Sequence, residues 1–162
     1  TSPGVNMKES IVIREFIPSD LDAVAELVYG TIETSYAGIY GPESKNFFVE
    51  YHSLDNILND ASNGYTVVAL YGTEIVGTGT LLENDIRRVF IKPCFQGKGL
   101  GKLIMHTLEK KAADQNLDFV GLSASYTAKP FYEALGYEVT LEGCDLIQDE
   151  KLKYYEMVKY LK

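Results

Sequence analysis

Ile11 to Phe16, with its β-branched residues, alternates well enough to be a first strand, and Pro18 ends it. Ser19 is placed to cap a helix, with Asp20 and Asp22 in the first turn facing its positive end. Leu21, Val24, Ala25, Val28 and Ile32 then mark one helix face. Tyr36 to Pro42 interrupts with turn residues. A second helical region carries Phe47, Phe48 and Tyr51 on one side, and Ser53 caps a short continuation with Leu54, Ile57 and Leu58. After the break at Asn63-Gly64, Tyr65 to Tyr71 and Ile75 to Leu82 read as a hairpin turning at Gly72-Thr73.

Polar Glu83-Asn84-Asp85 leads into Ile86 to Ile91, rich in β-branched and aromatic residues, and Pro93 closes that strand. From Leu100, residues Leu103, Ile104, Leu108 and Ala112 follow helical spacing. Phe119 to Ala124 is a further strand. Ala128, Phe131, Tyr132 and Leu135 predict a helix, with Gly136 as its stop. Tyr137 to Leu141 and Leu152 to Lys159 make a last pair of strands. The order is strand, two helices, three strands, helix, strand, helix, two strands: an α+β chain with one central mixed sheet.

Composition narrows this little. A chain of 162 residues, 46% hydrophobic and 23% charged, suits one globular domain. Thr1 to Asn6 precedes Met7 and reads as an expression remnant, leaving residues 7–162 as that domain. No apolar run approaches the ~20 residues that span a bilayer, and no signal peptide is evident. Two cysteines, Cys94 and Cys144, are too few for a disulfide scaffold, so the expectation is a cytoplasmic protein. His52 and His106 lack metal-ligand spacing, so no metal is expected. A formal net charge of -8 argues against nucleic acid and is compatible with a cationic substrate.

The chemistry concentrates where the central strand meets the long helix. Gln96 to Lys102 places glycine at 97, 99 and 101 between them. A helix start offers unpaired N–H groups and a positive dipole end, and glycines let the main chain approach an anion. The turn therefore reads as a phosphate site, with Lys98 and Lys102 adding charge, or as a strand–helix connection with glycines for geometry alone. No G-x-x-x-x-G-K-[ST] run occurs, and the dinucleotide fingerprint G-x-G-x-x-G does not fit the spacing or position.

Gln96-x-x-Gly99-x-Gly101 resembles the Q/R-x-x-G-x-G/A signature of the GNAT superfamily of N-acetyltransferases. Roughly 30 residues on, Ala128-Lys-Pro-Phe131-Tyr132-Glu-Ala-Leu135-Gly136-Tyr137 is similar to that family's A-x-x-F-Y-E-x-L-G-F segment. The resemblance implies a twisted, mostly antiparallel sheet of about seven strands flanked by about four helices. It also implies an acetyl-CoA cleft between splayed fourth and fifth strands. In that cleft Gln96, Gly97, Lys98, Gly99, Leu100, Gly101 and Lys102 hold the pyrophosphate. The main chain of Val89 and Ile91 pairs with the pantetheine arm, and an N–H near Val89 or Phe90 faces the thioester oxygen. Ser125 stands where many members have Asn, with a shorter reach to the same arm. Gln96, where Arg is commoner, removes one charge.

Acetyl transfer to an amine also needs proton traffic, because an alkyl ammonium with a pKa of about 10 is no nucleophile at neutral pH. By resemblance Tyr132 protonates the departing thiolate, whereas its packing beside Phe131 would explain it as core. Asp85, or Glu83 two residues earlier, stands where several members place the base, and a solvated turn explains either equally well. By resemblance, acceptor recognition falls on Glu33 to Tyr51, including Tyr36 and Tyr40, and on a loop from Glu142 to Lys151, though a helix core and a solvated loop explain these residues equally well. The resulting expectation is direct acetyl transfer from acetyl-CoA to a primary amine, on a small molecule or a protein, by a monomer or homodimer without membrane contact. A non-catalytic acyl-CoA-binding or regulatory module, or an oxygen-directed or longer-chain acyltransferase, would share these features.

Overall fold

A computed structural model of the chain describes residues 10–36 and 38–162, so the suggested remnant at Thr1 to Asn6 lies outside the described residues. The elements are β1 (Ile11–Glu15), α1 (Leu21–Ser35), α2 (Pro42–Tyr51), α3 (Leu54–Asn63), β2 (Tyr65–Tyr71), β3 (Glu74–Leu82), β4 (Asp85–Ile91), α4 (Leu100–Asp114), β5 (Phe119–Ala124), α5 (Lys129–Ala134), β6 (Glu138–Ile147) and β7 (Glu150–Tyr160). The strands form one seven-stranded sheet in the order β1-β2-β3-β4-β5-β7-β6. Every neighbouring pair is antiparallel except β4 and β5, which are parallel.

Helices cover both faces of the sheet. Ile104, Met105, Leu108 and Ala112 of α4 are fully buried against β2, β3 and β5. Fully burying a side chain such as Leu108 contributes about 1.5–3 kcal/mol. The helix comes this close because β3 carries Gly77 and Gly79: a Cβ on Gly79 would lie 2.6 Å from Ile104 Cγ2. On the other face Val24, Ala25, Val28 and Ile32 of α1 pack with Ile57 of α3 against Val68 and Phe90.

Several boundaries differ from the sequence expectation. The segment after Tyr51 is a separate helix, giving five α-helices among the described residues, and Ser53 does cap it, accepting the Asn56 N–H at 3.2 Å. Ser19 is not a cap. It sits in a 3-10 turn ahead of α1, and buried Asp20 instead accepts the Ile17 N–H at 2.9 Å and pairs with Arg14 at 2.8 Å. The expected loop from Glu142 to Lys151 is mostly strand. β6 and β7 stay paired out to Ile147 and Glu150, and the chain reverses through Gln148 and Asp149, both at positive φ. No helix among the described residues is long and apolar enough to cross a membrane.

Candidate active site

The parallel pair β4–β5 barely forms. Its one registered pair is Asp85 with Gly121, supported by the Gly121 N–H donating to Asn84 O at 2.8 Å. Beyond Gly121 the strands part and leave a cleft of about 390 Å³. A bulge helps to turn β4 away: Thr80 is opposite Arg87 and Thr78 opposite Phe90, so two residues, Arg88 and Val89, face Gly79 alone. Arg88 occupies the left-handed region at φ 57, a conformation that costs a non-glycine residue about 1–2 kcal/mol.

Past the bulge, the Lys92 N–H donates to Val76 O of β3. By strand alternation, the main-chain groups of Ile91 and Val89 point the other way, to the open edge. The Ile91 carbonyl there already accepts Gln96 Nε2 at 2.9 Å. Gln96 therefore folds its side chain back onto β4, and what it presents towards α4 is main chain.

The Gly97–Lys102 turn ends at the N-terminus of α4. Gly97 and Gly99 have φ of 77 and 86, and Gly99 is the N-cap, with no side chain closing the helix end. The Leu103 N–H donates to Gly99 O, while the N–H groups of Leu100, Gly101 and Lys102 have no main-chain acceptor among the described residues. The exposed Lys98 and Lys102 flank them. A left-handed cap, three free N–H groups and two lysines fit a pyrophosphate, and the free β4 edge fits an amide-bearing arm.

Tyr132, in α5, lines the same cleft. Its ring packs edge-on to Phe131 and Tyr137, at centroid distances of 5.0 and 5.9 Å. Its hydroxyl makes no protein hydrogen bond among the described residues, and burial pushes the phenol up to about 12. Ser125 lines the cleft, but its hydroxyl is engaged locally, accepting the Ala128 N–H at 3.2 Å and lying 3.0 Å from Thr127 Oγ1. Tyr36 and Tyr40 line the opposite wall with Phe47, Phe48 and Tyr51. Burial raises the phenol of Tyr36 above the ordinary range, and that of Tyr40 too, against the pull of a hydrogen bond with Ser125.

At the other end of the cleft are charges. Asp85 Oδ2 accepts Arg87 Nε at 2.8 Å. Desolvation raises the Asp85 carboxyl, with Arg87 opposing and Glu156 and Asp60 adding to the rise. Glu83 does not join it. The strand begins only at Asp85, and Glu83 sits exposed in the β3–β4 turn at φ 55, outside the cleft lining. The second carboxylate at this end is Glu156 of β7, whose Oε1 accepts Ser123 Oγ at 2.7 Å. Sequence reasoning missed it because pairing with β5 brings it to the cleft.

Arg88 and His52 were missed as well. Arg88 Nε donates to His52 Nδ1 at 2.9 Å, and Nη2 donates to Asp60 Oδ2 at 3.0 Å. Burial, with the charges of Arg88 and Arg87, pushes His52 down to about 3, so its ring is neutral. Nη1 of Arg88 is buried without a partner among the described residues, an arrangement that costs about 1–3 kcal/mol. The available signal was two consecutive arginines inside an otherwise alternating strand. Of the residues in the expected Glu142–Lys151 loop, Asp145 lines the cleft while Glu150 points elsewhere, onto the start of α2.

Residues 31–161 match the family model described as an acetyltransferase (GNAT) domain. The chain belongs to the GNAT acetyltransferase family and is an acyltransferase. It is 31% identical over 110 residues to the uncharacterized N-acetyltransferase YjcF of Bacillus subtilis, covering 65% of this chain and 75% of that one. It is 22% identical over 129 residues to the uncharacterized N-acetyltransferase YafP of Escherichia coli, covering 80% and 82%. Among solved structures, a GCN5-related N-acetyltransferase from Rhodopseudomonas palustris superposes with a TM-score of 0.85 at 23% identity, covering 94% of this chain and 96% of that one. PaiA N-acetyltransferase from Thermoplasma acidophilum, in complex with coenzyme A, gives 0.75 at 21%, covering 93% and 99%. Both likenesses concern the fold.

Proposed function

We propose that the chain transfers the acetyl group of acetyl-CoA directly to a primary amine. The observation that carries this reading is the opening of β4 from β5 beyond Gly121, together with an uncapped α4 start whose Gly101 lies against Ile91 and Phe131, outside the cleft lining itself. Acetyl-CoA supplies an activated thioester. The N–H groups of Leu100, Gly101 and Lys102 bind its pyrophosphate, and the free edge at Val89 and Ile91 orients its arm. Asp85 and Glu156, which line the cleft, take the ammonium proton through water in this reading. Tyr132, pushed up to about 12, stays protonated at neutral pH and hydrogen-bonds the departing thiolate. Neither cysteine lines the cleft, so transfer needs no covalent acyl-enzyme on a thiol.

The acceptor in this reading is a small molecule, since about 390 Å³ is within the range of small-ligand pockets. The test is thiol release from acetyl-CoA against a panel of primary amines. Amine-dependent release supports the reading, and release no faster than hydrolysis across the panel sinks it.

A further inference from the structure

Tyr132 stands on a short support. α5 has six residues, no side-chain cap at its start and no buried residue. A helix of that length does not hold its own position. Among the described residues the Tyr132 hydroxyl has no hydrogen bond to orient it, so its aim depends on its ring and main chain. One ring neighbour, Phe131, is 40% exposed and rides on the same helix. The other is Tyr137, which is 2% exposed and stands edge-on to Tyr132. Gly136 turns the chain at φ 98, and the Tyr137 N–H then donates back to Tyr132 O at 3.1 Å.

Tyr137 is itself anchored. Its hydroxyl donates to Glu109 Oε2 at 2.7 Å, and Lys159 Nζ donates to Glu109 Oε1 at 2.9 Å. One buried carboxylate of α4 thus takes the phenol that follows α5 and an ammonium of β7. Lys159 Nζ also lies 5.8 Å from the centre of the Tyr137 ring. Burial and the Glu109 carboxylate raise the Tyr137 phenol, so it stays a donor throughout the neutral range. A buried ion pair is weak evidence of stabilisation, because apolar residues of the same volume often serve as well. Stability alone therefore does not account for this group. None of the three residues lines the cleft.

We propose that Glu109 and Tyr137 are positioning residues for the transfer, holding the Tyr132 ring so that its free hydroxyl meets the departing sulfur. The proposal rests on the acetyl-transfer reading and adds the support of its thiolate-binding phenol. The chain of contacts runs from the well-packed α4 through Glu109 and Tyr137 to a helix too short to place Tyr132 by itself.

The test is a double-mutant cycle on thiol release with an accepted amine, paired with NMR of isotope-labelled tyrosine rings. Tyr137→Phe keeps the ring and removes the bond to Glu109. Its kcat should fall at least about threefold, within the roughly 10²-fold that a misplacement of about 1 Å can cost. KM for both substrates and coenzyme A affinity should stay unchanged. In the Tyr132→Phe background the same substitution should cost nothing further, because the hydroxyl being placed is gone. Glu109→Leu should reproduce the loss, and Glu109→Gln, which keeps an acceptor for the phenol, should restore most of kcat. An equal loss in both backgrounds assigns Tyr137 to general packing and overturns the proposal, as does a wild-type kcat in Tyr137→Phe or in Tyr132→Phe. The Tyr132 ring resonances, identified by their absence in Tyr132→Phe, should move or broaden in Glu109→Leu, or in Tyr137→Phe should the leucine variant not fold. Unchanged resonances overturn the anchoring whether or not any amine is acetylated. Altered resonances without thiol release from any amine uphold the anchoring and overturn the transfer reading alone.

Discussion

The carboxylate of Glu150 accepts the main-chain N–H of Ser44 at 2.9 Å and that of Glu43 at 3.3 Å. Gly41, the N-cap of α2, has no side chain to close that helix end, so the cap comes from the tip of the β6–β7 hairpin. The hairpin thereby fixes the helix that carries Phe47 and Phe48 to the acceptor wall. The hydrogen bond from Ser44 lowers the Glu150 carboxyl below its ordinary value. Its stabilisation is therefore present above the unfolded value of 4.5 and is lost as pH falls through the lower folded value. Glu150→Ala should lower the Tm at neutral pH and raise the KM for the acceptor, with coenzyme A affinity unchanged. An unaltered KM would show that the cap has no bearing on the acceptor wall.

Gly99 tests the phosphate site. Its φ of 86 strains most side chains, so any substitution confuses strain with electrostatics. Asn tolerates the left-handed region and serves as the control. Gly99→Asn should bind coenzyme A nearly as the wild type does. Gly99→Glu should weaken it at least about tenfold, about 1.4 kcal/mol. Equal affinities of the two variants by calorimetry would remove the pyrophosphate from this turn.

What the sequence made legible follows from where each element is buried. β4 and α4 carry periodic apolar residues because each packs against a core, and their observed bounds, Asp85–Ile91 and Leu100–Asp114, agree with that pattern. Gly136 marks its helix end, at φ 98. β6 was read short because it is an edge strand. Leu141 and Leu146 are exposed beside Glu142 and Asp145, so no buried face imposes alternation. The cofactor turn was legible because its chemistry is local. The acceptor end was not, because Arg88, His52, Asp60 and Glu156 come from four separate elements or junctions and meet only through a bulge and a long-range strand pairing.

His52 supplies a pH dependence of stability. Its folded value, about 3, lies below the unfolded 6.5, so the unfolded chain binds the extra proton. The stabilisation is complete above pH 6.5 and declines as pH falls towards 3. Between about pH 6 and 5, above most carboxylate titration, the decline should approach about 1.4 kcal/mol per pH unit. Urea unfolding across that window measures it. His52→Gln keeps an acceptor for Arg88 Nε and should flatten the slope. The same slope in wild type and variant would assign the titration elsewhere.

Asp85 and Glu156 divide the base role in the proposed reaction. Desolvation raises Asp85, so the acidic limb of kcat/KM should lie above the ordinary carboxylate value. Asp85→Asn and Glu156→Gln should each reduce kcat/KM, and the double variant should fall by about 10²–10⁴-fold, the usual worth of general base help. Its activity should recover at high pH, where the free amine forms without a base. A wild-type profile from the double variant would exclude both residues.

Tyr132 offers the cleanest single-atom test. Its hydroxyl has no hydrogen bond to lose among the described residues, and its ring contacts with Phe131 and Tyr137 survive in phenylalanine. Tyr132→Phe should therefore fold with an unchanged Tm and bind coenzyme A as before. The departing thiol has a pKa of about 8.5, well below the phenol at about 12. Full proton transfer from the phenol is uphill, so its contribution is a hydrogen bond to the forming thiolate. The loss in kcat should then sit at the low end of general acid effects, at least about tenfold. The same high value predicts that no basic limb from Tyr132 appears below about pH 10. A wild-type kcat in Tyr132→Phe would reduce the residue to packing. A limb near pH 9 that disappears in the variant would mean that the bound cofactor pulls the phenol back down, making it a true proton donor.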